Sequence, residues 1–584
     1  MKKYVLLTIV ALLMAAAANK AGACTNVLIT KGASANGSNM VSYAADSHGL
    51  FGELYYHPAG IFQPGDMLKV NEWDTGAYLT TIPQVARTYQ TVGNMNEKQL
   101  IIGETTYGGR SELWGKDGLM DYGSMIYIAL QRCSSAREAI LTMVELANTY
   151  GYHSEGESFS LADKDEVWIF EVIGKGPGCE GIVWVARRVP DGYICAHANQ
   201  ARISTFPKND PENCMYAEDV ISFAREMGFY EGSDEDFSFC DAYAPLDFGA
   251  MRGCESRAWS AFNILCDGKF TFLGENGKEV TKDSYDYVEY AMGHDSSKRF
   301  PLFVKPSRKI TVKNVADVMR DHFEGTPMDM TTDIGAGGNA LPYRWRPMNF
   351  SCEGNEYVNE RAIATQQTGF WFVGESRPSL PDEIGSLLWF GTDDAATSYL
   401  TPIYVCTKQI PECFRVGNGD MLTYSPTSSF WINNRVSNAC YKAYNLMQPT
   451  VRGKIDEWEG AMAEAVAAAD KEALALYEAA KAASPKMIRR NDAARKTVDR
   501  FSAVKDYLTD FSVRNADRIF NEWVALEEFL LVKFIDGNVK AQNSDGTWVT
   551  NGHANIPAGI IQPGYTDKWK AAVAKDHGET LIVK

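Results

Sequence analysis

The chain has 584 residues, 45% hydrophobic and 12% aromatic, enough for one very large domain or two to three smaller ones around a substantial core. Its formal charge is −17, and so acidic a surface argues against nucleic acid as a partner. No HExxH, no CxxC, no His/Cys cluster with zinc spacing and no G-x-S-x-G elbow occurs, so neither a metal hydrolase nor a serine elbow is expected, and no cofactor is implied.

Lys2 and Lys3 precede an apolar run from Tyr4 to Ala18, a basic region and a hydrophobic region too short to span a bilayer comfortably. Ala21 and Ala23 are the small residues a signal peptidase needs at −3 and −1. Cleavage after Ala23 would export the protein, to a periplasm or out of the cell, with Cys24 as its first residue. Lys2, Lys3 and Lys20 would leave with the leader, lowering the charge to −20. No later stretch reaches eighteen apolar residues, so no transmembrane segment is expected after leader removal.

An N-terminal cysteine carries its α-amine and its thiol on one carbon skeleton. The amine titrates near ~7.7–8.0 and the thiol near ~8.5, so a modest environmental shift lets the amine take the thiol proton. That is the N-terminal-nucleophile arrangement. Two other readings stay open. Lipoprotein signals also end at Cys, although they usually carry a Leu-like residue where this chain has Ala21, and Cys24 could simply follow a cleavage site. Of the twelve cysteines, eleven remain once Cys24 is set aside, so at least one more is unpaired or pairs between chains. Cys254/Cys266 and Cys406/Cys413 are close enough in sequence to suggest local bridges.

Thr25 to Thr30 reads as a strand, Gly32 to Gly37 as a turn, and Asn39 to Tyr43 as a second strand. This hairpin brings Asp46 back towards Cys24, where its carboxylate could orient the ammonium formed when the amine takes the thiol proton. By itself Asp46 reads more readily as a turn or capping residue. Leu100 to Gly103 is a short apolar run that ends in Glu104-Thr105-Thr106-Tyr107-Gly108-Gly109-Arg110, a ligand-approach loop or a plain one. Ser135 to Tyr150 is a helix with a Ser135/Glu138 capping box, an apolar stripe and a Gly151 stop.

Phe159 to Ala162, Val167 to Val172, Ile182 to Arg187 and Tyr193 to Ala198 read as an antiparallel meander. The last strand runs into Asn199, whose amide could donate to a developing oxyanion or merely form a turn. Glu218 to Met227 and Val312 to Phe323 look helical, and Ser260 to Ile264 looks like a strand. The Gly-rich loop Asp333 to Asn339 follows no clear strand and opens no helix, so it is not a phosphate cradle. Thr368 to Val373 and Leu387 to Phe390 are further strands. Near Val451 the composition turns rich in Ala, Glu and Lys. Asp456 to Ala483, broken by Ser484-Pro485, then Asn491 to Tyr507 and Ser512 to Val532, read as helices.

The stretch from Cys24-Thr25-Asn26 through Gly37-Ser38 to Ala45-Asp46-Ser47 resembles the mature start of the peptidase C69 dipeptidases. Similar in the same way are Gly103 to Thr106 with Gly109-Arg110, Ala196 to Ile203, Gly325 to Pro327 with Pro342 to Pro347, and Trp389 to Ser398. The resemblance implies an α+β fold, the αββα sandwich of Ntn hydrolases with two antiparallel sheets between helix layers, and dipeptides as substrates. With the leader signal and the composition change near Val451, the chain divides into a leader (1–23), a peptidase domain (24–450) and a C-terminal helical region (451–584) packed on it, and the resemblance covers roughly residues 24–415. The resemblance also implies Cys24 as nucleophile, Asp46 as its acidic partner and Asn199 as oxyanion donor. Thr105 and Arg257 become candidates for the same pocket. The family usually carries Arg three residues before the Asp, where this chain has Tyr43, and Tyr43 is therefore expected at the substrate. A less basic pocket leaves open an amidase acting on N-acyl amides. A lipoprotein tethered through Cys24 is the non-enzymatic alternative, and homo-oligomerisation is left open.

Overall fold

The computed structural model describes residues 24–482 and 499–583. The leader and its cleavage site lie outside these residues, as do the Ser484-Pro485 break and the first part of the helix expected from Asn491.

Ten strands build the body. They are β1 (Thr25–Ile29), β2 (Asn39–Asp46), β3 (Ile101–Tyr107), β4 (Gly156–Ala162), β5 (Val167–Gly174), β6 (Ile182–Arg188), β7 (Ile194–His197), β8 (Thr368–Ser376), β9 (Ser386–Thr392) and β10 (Thr401–Tyr404). One antiparallel sheet runs β7-β1-β2-β8-β9-β10. The second is built on β6-β5-β4-β3 and extended by short strands at both margins. β1, β2 and β8 lie against β3 and β4, so the sheets pack face to face. In β1, β2, β4, β5 and β8 every residue is buried. Gly103 permits the close approach: a Cβ there would lie 3.0 Å from the Asn26 amide and 3.3 Å from Tyr43 Cβ.

Helices cover the outer faces. α1 (Tyr122–Arg132) and α2 (Ala136–Tyr150) lie on the second sheet, and α3 (Ser256–Leu265) and α4 (Val312–Met319) on the first. At the start of α2, the Glu138 N–H donates to Ser135 Oγ at 3.2 Å, while the Glu138 carboxylate accepts from the Ser134 N–H at 2.7 Å. The capping box is thus closed one residue early. Gly151 ends the helix with φ of 77°.

The chain then adds α5 (Ser429–Lys442), α6 (Tyr444–Ala482) and α7 (Ser502–Phe534). α6 and α7 pair with each other and lie along β10. The Tyr404 N–H of that outermost strand donates to Ser512 Oγ of α7 at 3.2 Å. Buried Arg320 reaches Glu459 of α6 at 3.1 Å, and Arg377 reaches Asp470 at 2.7 Å.

Four expectations need correction. Tyr193 to Ala198 does not continue the meander: β7 crosses to the first sheet and pairs with β1, Asn26 opposite His197. Spacing along the chain does not say which sheet supplies the partner. Ser260 to Ile264 lies inside α3, because a short buried apolar run carries no period that separates strand from helix. The helices expected on either side of residues 507–512 form one continuous α7. All twelve cysteines, including the two proposed local pairs, are free thiols.

Candidate active site

Cys24 sits immediately before β1, and extension of the β1–β2 register places it beside Ala45. Its side chain is buried. The sulfur lies 3.8 Å from the Tyr43 hydroxyl and 3.7 Å from Glu104 Oε1. Tyr43 in turn donates a short hydrogen bond to the same Glu104 oxygen. The backbone N–H of Asp46 also faces the sulfur. Burial pushes the thiol well above its ordinary range and the Glu104 and Asp46 charges push it further, whereas the Asp46 N–H and the Tyr43 hydroxyl oppose them. The thiol is therefore protonated at rest and needs a base.

Arg257 fixes the main chain beside the sulfur. It follows a five-residue π turn, Met251–Glu255, that opens α3, an insertion frequent at functional sites. Fully buried, Arg257 donates to the Cys24 carbonyl at 2.6 Å, Thr25 Oγ1 at 2.9 Å, the Ala198 carbonyl at 3.2 Å and Asn199 Oδ1 at 3.0 Å. Burial, with Arg361 nearby, brings its pKa down to about 10, so it stays charged at neutral pH. Asn199 occupies the left-handed region with φ of 58°. Its Nδ2 donates to the Thr106 carbonyl at 2.6 Å.

Asp46 ends β2 at a register shift. Its carboxylate accepts from Arg361 at 2.7 Å and from Thr368 Oγ1 at 2.7 Å. Burial raises its pKa and Arg361 opposes the rise.

Five of the six residues expected at the site, Cys24, Tyr43, Asp46, Asn199 and Arg257, are thus joined by direct contacts or by one intervening group. Thr105 is placed elsewhere. Its hydroxyl meets His197 Nδ1 at 2.8 Å in the layer between the sheets, and Ser160 Oγ holds the other ring nitrogen at 2.7 Å. Burial lowers the His197 pKa to about 3, so the ring is neutral.

Sequence reasoning missed Glu104, Glu157 and Arg361. Glu104 and Glu157 lie diagonally across the β3–β4 pair, where Thr106 is opposite Glu157. Thr106 Oγ1 donates to Glu157 at 2.7 Å. Burial, then mutual repulsion, drives the Glu157 pKa well up, and burial raises that of Glu104. A carboxylate inside the apolar Leu100–Gly103 context was the available signal for Glu104. Arg361 lies in irregular chain and nothing local marks it.

β3 pairs with β4 along its whole length, but on its other side only Ile101 is paired, to Met95. Tyr43 sits beside this open margin. Its ring also walls a narrow pocket lined by Tyr55, Trp73, Tyr122, Ile126 and Phe370. Gly123 leaves room for Trp73, which would lie 2.4 Å from a Cβ there.

Comparison with known proteins places the chain in a family. Residues 57–457 match the model of peptidase family C69, a span that begins downstream of Cys24 and includes β3 to β10. The chain is 26% identical over 458 residues to "Probable dipeptidase A" of Streptococcus pyogenes serotype M3 (strain SSI-1), covering 74% of this chain and 86% of the relative. It is 22% identical over 432 residues to "Probable dipeptidase B" of Lactococcus lactis subsp. lactis (strain IL1403), covering 70% and 80%. It is 23% identical over 490 residues to the "Dipeptidase" of Bifidobacterium longum (strain NCC 2705), covering 78% and 83%. With a family match over more than half its length, the chain belongs to peptidase family C69.

Proposed function

We propose that the protein is an exported dipeptidase whose nucleophile is the thiol of Cys24 and whose body is an Ntn-hydrolase sandwich. The supporting observation is the convergence on residue 24. Arg257 holds its carbonyl, and Tyr43, Glu104 and the Asp46 N–H surround its sulfur. Relatives named dipeptidases support the reaction class.

After cleavage at Ala23 the Cys24 α-amine takes the thiol proton, directly or through one water. The sulfur attacks the peptide carbonyl carbon, a C–S bond forms, and the negative charge moves to the carbonyl oxygen, which Asn199 and backbone N–H groups receive. Collapse breaks the C–N bond, and the ammonium proton passes to the leaving amine. Water, deprotonated by the same amine, then attacks the thioester. The C–S bond breaks, the sulfur regains a proton, and two amino acids leave. No step draws on a metal or an organic cofactor.

Intact mass of the mature N terminus, with dipeptide hydrolysis by wild type, Cys24→Ser and Cys24→Ala, tests the reading. The expected result is an unacylated chain beginning at Cys24 and a loss of ~10³-fold or more in Cys24→Ala. A lipid-modified Cys24, or full activity in Cys24→Ala, removes it.

A further inference from the structure

Glu104 and Glu157 are adjacent buried carboxyls without a basic partner among the described residues. Their contacts are Tyr43, Cys24, Thr106 and each other, and neither carboxyl forms an ion pair with Lys, Arg or His among the described residues. The second oxygen of each is buried and receives no hydrogen bond from outside the pair. Two adjacent buried carboxyls settle on one shared proton, because both cannot ionise at close range. One negative charge remains beside the nucleophilic sulfur, and a buried charge of that kind calls for an opposite one.

Geometry says where that charge comes from. In a dipeptide, the α-nitrogen of the first residue is two bonds from the carbonyl carbon that the sulfur attacks. Bonds of about 1.5 Å put it roughly 2.5 Å from that carbon. A carboxylate oxygen 3.7 Å from the sulfur stands within reach of that nitrogen.

Guanidinium groups also gather near the nucleophile. Tyr43 and Asp46 lie on either side of the β2 position beside Cys24, and Asp46 brings Arg361, with Arg257 and Arg346 close enough to feel its charge or that of Arg361.

We propose that Glu104 is the specificity residue that binds the free α-ammonium of the substrate's first residue. This rests on Cys24 as the nucleophile. It confines the enzyme to peptides with an unblocked N terminus and excludes N-acyl amides.

The test compares phenylalanyl-alanine with its N-acetyl derivative. Wild type should favour the free dipeptide by about 100-fold or more in kcat/KM. Glu104→Gln should lose about 100-fold on the free dipeptide, mainly through KM, and at least about 10-fold less than that on the acetylated one, so that the preference for the free N terminus collapses. Glu157→Gln, which still presents a donor to Glu104, should keep the preference. Should Glu104→Gln fail to fold, Glu104→Asp serves the same comparison. Calorimetric binding of the free dipeptide to Cys24→Ala, with and without Glu104→Gln, separates the two layers of the argument. Absent hydrolysis in wild type overturns the nucleophile reading. Equal losses on both substrates, or binding indifferent to Glu104→Gln, overturn the assignment of Glu104, the former pointing to a role on the enzyme's own amine.

Discussion

The Arg257 guanidinium reaches the carbonyl oxygen of Cys24 at 2.6 Å across 233 residues of chain. One planar cation orients the backbone of the nucleophile and, through Asn199 Oδ1, the proposed oxyanion donor. A lysine at this position keeps the charge but cannot serve these acceptors from a single point. Arg257→Lys should therefore lower kcat by about 10²-fold through misplacement of the reacting atoms. Steady-state kinetics beside a circular dichroism spectrum checks this, and an unchanged kcat in a folded variant contradicts it.

His197 gives the fold an acid limit. Its pKa falls from an ordinary value near ~6.5 to about 3 on burial, so the native state holds the neutral ring that Thr105 and Ser160 require. A depressed folded pKa means that its contribution to stability is complete above about pH 6.5. That contribution is lost progressively as the pH falls towards 3. His197→Gln should flatten the dependence of denaturant stability on pH across this window. A slope identical to wild type would show that His197 does not contribute.

Arg320 and Glu459 form a buried ion pair that ties α6 to the sheet body. Glu459→Ala leaves the guanidinium buried without its partner and should cost about 3–5 kcal/mol. Arg320→Met with Glu459→Leu should recover much of that loss, because the charge and its desolvation disappear together. Urea titrations of the three proteins decide between this and an energetically idle pair.

The free thiols predict a simple count. Denatured without reductant and alkylated, the chain beginning at Cys24 should take up twelve carbamidomethyl groups. A mass corresponding to ten would reinstate one local bridge.

What the sequence displayed was what neighbouring residues decide. The β1–β2 hairpin, the Ser135 helix start and the approach of Asp46 to Cys24 depend on a few adjacent positions, and they stand in the structure. The partner of Asp46 was invisible, because Arg361 comes from 315 residues away through irregular chain. Thr105 and Glu104 show the finer limit. Successive strand residues face opposite ways, so one step in register gives the nucleophile a carboxylate and sends the hydroxyl to His197. The destination of β7 was illegible for a related reason. Alternation reports that a segment is extended, not which strand it will join.

The hydroxyl of Ser512 on the Tyr404 N–H has a consequence for truncation. A sheet margin with unanswered amide groups is a template for foreign strands. Here α6 and α7 act as a permanent selvedge that the chain weaves for itself late in synthesis. Versions ending near residue 450 would expose that raw border, and self-association in such fragments should precede any loss of the nucleophile's own surroundings.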